Sequence, residues 1–197
     1  MKRGKAVPSA SRSPWRGGWL REARRVASPN FGPRPAAAVI DLVVVHSISL
    51  PPGEYGGDAI ERLFTNRLDP AAHPYFETIR DLRVSAHFLV RRDGELVQFV
   101  ACDQRAWHAG ESAWKGRTNC NDFSIGIELE GLEGGTFEEA QYERLAATLI
   151  RLAARYPIRA VAGHEHVAPG RKSDPGAGFD WPGFRHRIQV LTLDFVP

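Results

Sequence analysis

Cysteine is scarce in this chain: Cys102 and Cys120 are the only two among 197 residues, and no CxxC pair occurs. A disulfide framework and a cysteine-rich zinc finger are therefore excluded, because each needs several closely spaced thiols. Such low cysteine use is typical of a reducing compartment, and the sequence predicts a cytoplasmic location.

Long hydrophobic runs are also missing. No stretch reaches the roughly 18 apolar residues that a membrane-spanning helix requires. The N-terminal MKRGKAVPSASRSPWRGG is broken by Gly, Pro, Ser and Arg before any apolar region develops. We therefore expect neither a secretory signal peptide nor a membrane partner. With 43% hydrophobic residues, the chain can bury one full core but is short for two.

Positive charge is concentrated at one end. Of the 26 basic and 23 acidic residues, eight basic and one acidic residue lie within 1–25, which leaves 18 basic against 22 acidic residues elsewhere. The body is thus mildly acidic, so phosphate-backbone binding is not its main function and no nucleic-acid partner is expected. Low hydrophobicity with high charge predicts a disordered basic extension over 1–18, followed by one domain over 19–197.

Strand and helix patterns alternate along the domain and predict the α/β class, with a mixed central β-sheet flanked by helices. Arg92-Asp93-Gly94 is a strong hairpin signal. A brief helix is predicted over 58–65, and a long one from a capping box of Thr136 and Glu139 to before Pro157. Residues 66–82 read as irregular. The predicted strands are 39–46, 84–91, 95–100, 123–130 and 158–163.

Two segments carry candidate chemistry. VVVH ends an apolar run at His46, and GHEHVAPGRKSDPG gathers His164, Lys172 and Asp174 in a loop. Two imidazoles and a carboxylate are what a catalytic zinc needs when its fourth position is kept for water. Lys172 and Asp174 can face one centre because residues i and i+2 of an extended segment point the same way. The sequence therefore predicts a zinc hydrolase.

Other catalytic patterns fail. His164 and His166 could both reach one metal, but the segment is not HExxH because position 168 is Ala. No PCxxC deaminase pattern and no GxSxG elbow occur. His46 or His164 taken alone is more often a satisfied, half-buried side chain than a ligand.

The predicted strand SIGIELE contains two candidates for a general base. Glu128 and Glu130 share one face of that strand, and the pattern alone does not choose between them. Small Ser124 and Gly126 precede them and predict a hollow above the sheet that a substrate could enter. Trp107 and His108 fit core and groove wall equally well.

A wider resemblance goes further. From about Trp19 to about Phe184 the chain resembles amidases of the amidase_2/peptidoglycan-recognition family, with similar segments in the same order. These segments are LVVVHSISLPPGEYGG, DPAAHPYF, LRVSAHFLVRRDGELVQFV, RAWHAG, CNDFSIGIELEG, AQYERLAA and GHEHVAPGRKSDPG. The chain resembles the branch that cleaves 1,6-anhydro-N-acetylmuramyl-L-alanine in peptidoglycan recycling. That resemblance implies the family fold, a cytoplasmic monomer, a small muropeptide substrate and a link to β-lactamase induction.

The resemblance also implies roles for particular residues. His46, His164 and Asp174 match the zinc ligands. Glu128 matches the catalytic glutamate and Lys172 the catalytic lysine, so that Glu128 would activate the water and Lys172 would stabilise the oxyanion. The positions implied at the muropeptide groove are Tyr75, Arg83, Trp107, Arg117, Leu129 and Arg171.

The chain departs from the family at two positions. His166 stands where relatives carry Asn, and Asn119 stands where relatives can carry Arg, which affects recognition of the peptide carboxylates rather than the chemistry. The alternative of a recognition module that binds muropeptides without cutting them is disfavoured, because all three ligands, Glu128 and Lys172 are present. A nucleic-acid-binding protein is disfavoured by the acidic body.

Overall fold

The computed structural model describes residues 13–195. Thirteen strands, five α-helices and two 3-10 turns are found in that range. The strands are β1 (Trp15–Arg16), β2 (Trp19–Leu20), β3 (Arg24–Arg25), β4 (Phe31–Gly32), β5 (Leu42–Ile48), β6 (Phe88–Val90), β7 (Leu96–Gln98), β8 (Arg105–Ala106), β9 (Ala113–Trp114), β10 (Arg117–Thr118), β11 (Ser124–Glu130), β12 (Ala160–Gly163) and β13 (Asp194–Phe195). The α-helices are α1 (Ala59–Phe64), α2 (Pro74–Thr78), α3 (Glu139–Ala153), α4 (His164–Val167) and α5 (Trp181–Arg187), and the 3-10 turns are Pro70–Ala72 and Cys120–Asp122.

A mixed sheet of seven strands forms the centre, in the order β13-β12-β5-β11-β6-β7-β3. The strands from β13 to β6 run parallel to one another. β6 and β7 form the antiparallel hairpin predicted at Arg92-Asp93-Gly94, where Gly94 takes a φ of 84°. β5 and β11 occupy the middle of the sheet, where the first five residues of β5 and all seven of β11 are buried, which explains the apolar run at the start of β5.

Helix α3 covers one face of the sheet. Its Leu145, Leu149 and Leu152 belong to the same apolar cluster as Val43, Val45 and the three apolar side chains of β11. On the other face, α1 and α2 contribute Ile60, Leu63, Phe64 and Phe76 to a second cluster. The predicted mixed sheet flanked by helices is therefore confirmed.

Element bounds differ from the prediction in detail. The strand predicted over 39–46 runs from Leu42 to Ile48, and residues 66–82 contain the turn Pro70–Ala72 and helix α2 rather than only irregular chain. The capping box predicted for Thr136 and Glu139 is wrong, because Glu138 and Gln141 make it instead. The helix starts later because Phe137 is drawn into the core, 9% exposed, against the rings of Tyr142 and Phe179.

The N-terminal boundary also moves. The predicted extension covers 1–18, but residues 15–20 form the hairpin β1–β2, and Trp15 is 7% exposed with its ring edge-on to Tyr156 at 6.1 Å. Because the apolar side chain of Trp15 is buried, the hairpin of residues 15–20 packs as part of the domain. The first twelve residues of the predicted extension lie outside the described part of the chain. Within 13–195, the helices are all too short or too polar to cross a bilayer.

Candidate active site

The register of three neighbouring strands assembles the site. Glu128 of β11 lies opposite His46 of β5, and Gly163 of β12 lies opposite Val45, so that His164 follows at the level of His46. The carboxyl ends of parallel strands meet at one edge of the sheet, where α/β proteins place their sites. Residues far apart in sequence are thereby brought together.

Three of the predicted residues converge at this edge. His46 Nδ1 lies 3.0 Å from His164 Nδ1, and both nitrogens lie 3.1 Å from Asp174 Oδ2. The three residues form a group able to hold a metal ion, and all three are buried. A tetrahedral zinc site with bonds of about 2.0–2.1 Å has ligand atoms roughly 3.3 Å apart, so the donor set and its spacing fit zinc.

The protonation state of His46 suits a ligand. Burial lowers the pKa of His46 to about 4, and the neighbouring His164 contributes to the lowering. The imidazole is therefore neutral at pH 7. Only a neutral imidazole has the lone pair that a metal ligand needs.

The two glutamates of β11 are clearly different in their surroundings. Glu130 accepts hydrogen bonds from Gly56 N at 2.8 Å and Arg91 Nη1 at 3.0 Å, and is 2% exposed. Glu128 lines the groove, and its buried Oε2 has no hydrogen-bond partner within residues 13–195. Burial, assisted by the charge of Asp174, raises the pKa of Glu128 well above its ordinary value. Glu128 therefore has the free oxygen and the proton affinity of a general base.

Lys172 and Arg171 lie at the mouth of the site. The Lys172 side chain is exposed, lines the groove and has no hydrogen-bond or ion-pair partner among residues 13–195. Arg171 is committed to the protein backbone, because it donates to Ala109 O at 2.6 Å and to Glu111 O. Lys172 thus offers a free cation beside the candidate metal position, whereas Arg171 holds a loop.

A groove of about 660 Å³ opens over the site. The structure brings Tyr75, Arg83, Trp107 and Arg171 to its lining, as the resemblance implies. Two other implied groove residues are not among those lining it. Arg117 binds the carboxylate of Asp41 at 3.0 and 3.1 Å instead.

Leu129 is the second of these two residues. Its side chain is 0% exposed and belongs to the core cluster beneath α3. The period of two along β11 explains this, because Leu129 must point away from the face that carries Glu128.

The predicted hollow above Ser124 and Gly126 exists but does not admit a substrate. The ring of His108 fills it: a Cβ at Gly126 would lie 2.4 Å from His108 Cγ. His108 is only 9% exposed, and its Nδ1 lies 3.0 Å from His46 Nε2. Sequence analysis left His108 unassigned between core and groove wall, and it missed Asn121, which also lines the groove.

His166 stays apart from the metal-ligating group. Its Nδ1 accepts a hydrogen bond from Gly163 N at 2.8 Å, and its ring lies 5.5 Å from that of Trp181. The second histidine of HEH is therefore used to hold the start of α4.

Known proteins share both the sequence and the fold. Residues 36–177 match the N-acetylmuramoyl-L-alanine amidase family Amidase_2. The 1,6-anhydro-N-acetylmuramyl-L-alanine amidase AmpD of Salmonella typhimurium is 58% identical over 177 residues, covering 89% of this chain and 95% of its own.

Solved structures agree with these matches. The crystal structure of a Se-Met AmpD derivative superposes with a TM-score of 0.85 at 55% identity, covering 88% of this chain and 98% of that one. The Escherichia coli N-acetylmuramyl-L-alanine amidase AmiD, in complex with the substrate anhydro-N-acetylmuramic acid-L-Ala-D-gamma-Glu-L-Lys, gives a TM-score of 0.55 at 31% identity. That match covers 78% of this chain and 60% of AmiD.

Proposed function

The chain belongs to the N-acetylmuramoyl-L-alanine amidase family, and from that premise we propose that it is a zinc enzyme of peptidoglycan recycling. Its reaction is hydrolysis of the lactyl amide bond between 1,6-anhydro-N-acetylmuramic acid and L-alanine in small muropeptides. The observation that carries this proposal is the meeting of His46, His164 and Asp174 beside Glu128, whose buried Oε2 has no hydrogen-bond partner in the described part of the chain. The names of the similar amidases support the choice of bond and sugar.

His46, His164 and Asp174 would hold the zinc ion. When bound, zinc supplies Lewis acidity, which makes a water molecule more acidic and a carbonyl more electrophilic. The donor set of two imidazoles and one carboxylate supports zinc, because it leaves a fourth tetrahedral position free.

Glu128 and Lys172 would carry the proton and charge transfers. Glu128 takes a proton from the attacking water, and its raised pKa lets it keep that proton while the tetrahedral intermediate forms. The ammonium of Lys172 stabilises the negative charge that develops on the lactyl carbonyl oxygen. Glu128 then returns the proton to the departing amine of L-alanine.

Aromatic and apolar side chains line part of the groove and could bind a compact sugar there. Trp107 and Tyr75 line it together with Leu50 and Pro52, and aromatic rings of this kind bind the apolar faces of sugars. We propose that this wall selects the bicyclic anhydro sugar over a reducing muramic acid and over polymeric wall.

We also propose that the enzyme acts in the cytoplasm as a monomer. Cys102 and Cys120 are free, buried thiols, the form typical of a reducing compartment. Import of wall fragments into the same compartment would supply the substrate.

One experiment tests the reaction directly. The purified protein is analysed for metal and incubated with a matched pair of muramyl peptides, one anhydro and one reducing, and the products are identified by mass. The expected result is about one zinc per chain, release of the free stem peptide, and a higher kcat/KM on the anhydro substrate. No release of peptide by the zinc-loaded protein would overturn the proposed reaction, and a kcat/KM ratio near one would overturn only the sugar preference.

A further inference from the structure

The two candidate imidazole ligands are contacted at Nε2, the ring nitrogen away from the candidate metal position, by two consecutive residues. His46 Nε2 lies 3.0 Å from His108 Nδ1, and His164 Nε2 lies 3.1 Å from the carbonyl oxygen of Ala109. Both contacts are buried. Two ligands from different elements, His46 in β5 and His164 at the start of α4, therefore contact one dipeptide of the RAWHAG segment.

The hydrogen-bond direction at His164 follows from its partner. A carbonyl oxygen can only accept, so the contact with Ala109 O is a hydrogen bond when the Nε2 of His164 carries the proton. Arg171 Nη2, 3.5 Å from this Nε2, is itself a donor to the same carbonyl. With the proton on Nε2, the Nδ1 of His164 is left with a lone pair, which faces Asp174 and His46.

The hydrogen-bond direction at His46 follows from a series of hydrogen bonds that runs through His108 to Ser124. Ser124 Oγ donates to the carbonyl of Cys120 at 2.6 Å, so the hydroxyl proton is already used. Ser124 Oγ must accept from His108 Nε2, which lies 3.2 Å away. The Nδ1 of His108 is consequently an acceptor and receives the Nε2 proton of His46.

Asn121 fixes the position of the dipeptide. Its Oδ1 accepts from His108 N at 3.1 Å and from Ala109 N at 2.8 Å, and the side chain is buried at 5% exposure. Arg171 donates to the same Ala109 carbonyl at 2.6 Å from the solvent side. Gly126 leaves the space in which the ring of His108 rests.

We propose that His108 and Ala109 form a tautomer bracket, which sets both imidazoles with the proton on Nε2 and the lone pair on Nδ1 before any metal binds. Ser124 and Asn121 are positioning residues of this bracket. Two lone pairs 3.0 Å apart beside a carboxylate repel one another, and a bound cation relieves that repulsion. The proposal rests on the metal site of the proposed function, but the tautomers exist without the metal.

The direct test is nitrogen-15 NMR of the histidine rings in metal-free wild-type protein at pH 8. Long-range correlation distinguishes the protonated from the unprotonated ring nitrogen. The expected result is a protonated Nε2 and an unprotonated Nδ1 for both His46 and His164. A proton on Nδ1 of either ring would overturn the proposal. If wild-type protein failed to bind zinc but showed these tautomers, the proposed function would fail while the bracket survived.

A matched pair of variants tests the role of the acceptor. His108→Asn keeps an oxygen acceptor near the former Nδ1 position, whereas His108→Leu has a similar size and no acceptor. Zinc affinity is measured by competition with a chelator, and circular dichroism checks that each variant is folded. We expect His108→Leu to bind zinc 10–100-fold more weakly, as is usual when an outer-shell partner is lost, and His108→Asn to stay within a few-fold of wild type. Equal affinities of the two variants would contradict the proposal.

Asn121 gives an independent variant if His108→Leu does not fold. Asn121→Asp retains an oxygen that accepts from both amides, and Asn121→Leu removes it. Asn121→Leu is expected to weaken zinc binding about tenfold more than Asn121→Asp does. An Asn121→Asp loss as large as that of Asn121→Leu would show that the amide contacts do not hold the bracket.

Discussion

Glu128 of β11 lies directly across from His46 of β5 in a parallel register. One strand thus supplies the first imidazole and its neighbour supplies the free carboxylate, at the same height above the sheet. The relative position of the candidate base and the candidate ligand is therefore fixed by backbone hydrogen bonds rather than by a flexible loop.

Alanine at any of the three convergent residues should remove the metal. We expect His46→Ala, His164→Ala and Asp174→Ala each to lose bound zinc and activity, because a catalytic site with two protein ligands holds zinc poorly. His166→Ala serves as the control and should keep both, since His166 accepts from Gly163 N and contacts Trp181 and Glu165 rather than the three ligands. Metal analysis by mass spectrometry decides, and loss of zinc from His166→Ala with retention in Asp174→Ala would refute the ligand set.

Substitution of the two glutamates should have different effects, one on catalysis and the other on stability. Glu128→Gln is expected to abolish hydrolysis with zinc still bound, because the amide cannot accept the proton. Glu130→Gln should keep measurable kcat but lower the free energy of unfolding by about 3 kcal/mol, because it breaks a buried pair with Arg91. Single-turnover kinetics and urea unfolding separate the two effects. Complete loss of chemistry in a folded Glu130→Gln protein would mean that the base is misassigned.

These two glutamates show where sequence reasoning stops. Apolar runs that end in histidine predicted the two parallel strands that position His46 and His164, because the hydrophobic pattern of a strand is a local property of the sequence. Which of Glu128 and Glu130 is the candidate base depends on Gly56 and Arg91, which bind Glu130. Both are distant in sequence, so the pattern of the strand does not indicate them.

The same limit applies to two further expectations, the hollow above Gly126 and the position of Arg117. The hollow above Gly126 was correctly predicted from small residues, but its occupant comes from position 108. Arg117 was placed in the groove by resemblance, and the partner that holds it elsewhere, Asp41, lies in a different segment. Local pattern thus predicts which side chains lie at the sheet edge, and tertiary contacts decide which of them remain free.

A methyl group at position 126 should disturb the site without touching a ligand. In Gly126→Ala the new Cβ would overlap the ring of His108, and we expect a loss of about 1–3 kcal/mol in stability together with weaker zinc binding. Gly32→Ala is the control, since a Cβ there meets nothing within 4 Å. Thermal unfolding and chelator competition measure the two effects. Wild-type zinc affinity in Gly126→Ala would show that the ring can move without consequence.

His87 should make the protein sensitive to acid. Burial, with the charge of Arg34 in addition, lowers the pKa of His87 to about 3, and its Nδ1 accepts from Gly126 N at 3.0 Å. The unfolded chain binds a proton at this residue below about pH 6.5. The folded chain does not, so stability falls as the pH drops from about 6.5 towards 3.

The variant His87→Gln isolates this contribution. His46 and His108 are lowered in the same direction, so the wild-type slope contains all three residues. Urea unfolding of metal-free protein between pH 4 and 6 should give a slope smaller by about 1.4 kcal/mol per pH unit in the variant. Parallel slopes for the two proteins would contradict a neutral, buried His87.

Trp15 should behave as a core residue. Trp15→Ala is expected to lower the free energy of unfolding by about 3–5 kcal/mol, because it empties a buried contact with Tyr156. Trp19→Ala, at a half-buried position of the same hairpin, should cost clearly less. Urea unfolding at pH 7 compares them. Equal, small losses would restore the domain boundary to residue 19.

Strand β11 has no exposed residue: all seven residues from Ser124 to Glu130 are buried, one set under α3 and the other on the face that carries the candidate site. A surface strand can accept mutations on its outer face and so drift in evolution, but this one has no face on which a change would be silent. Variation in substrate choice must then arise in the loops around the groove, such as 49–52 and 131–133. The hydrolytic chemistry and its selectivity are in this way inherited on separate parts of the chain, and new specificities can be explored without risk to the reaction itself.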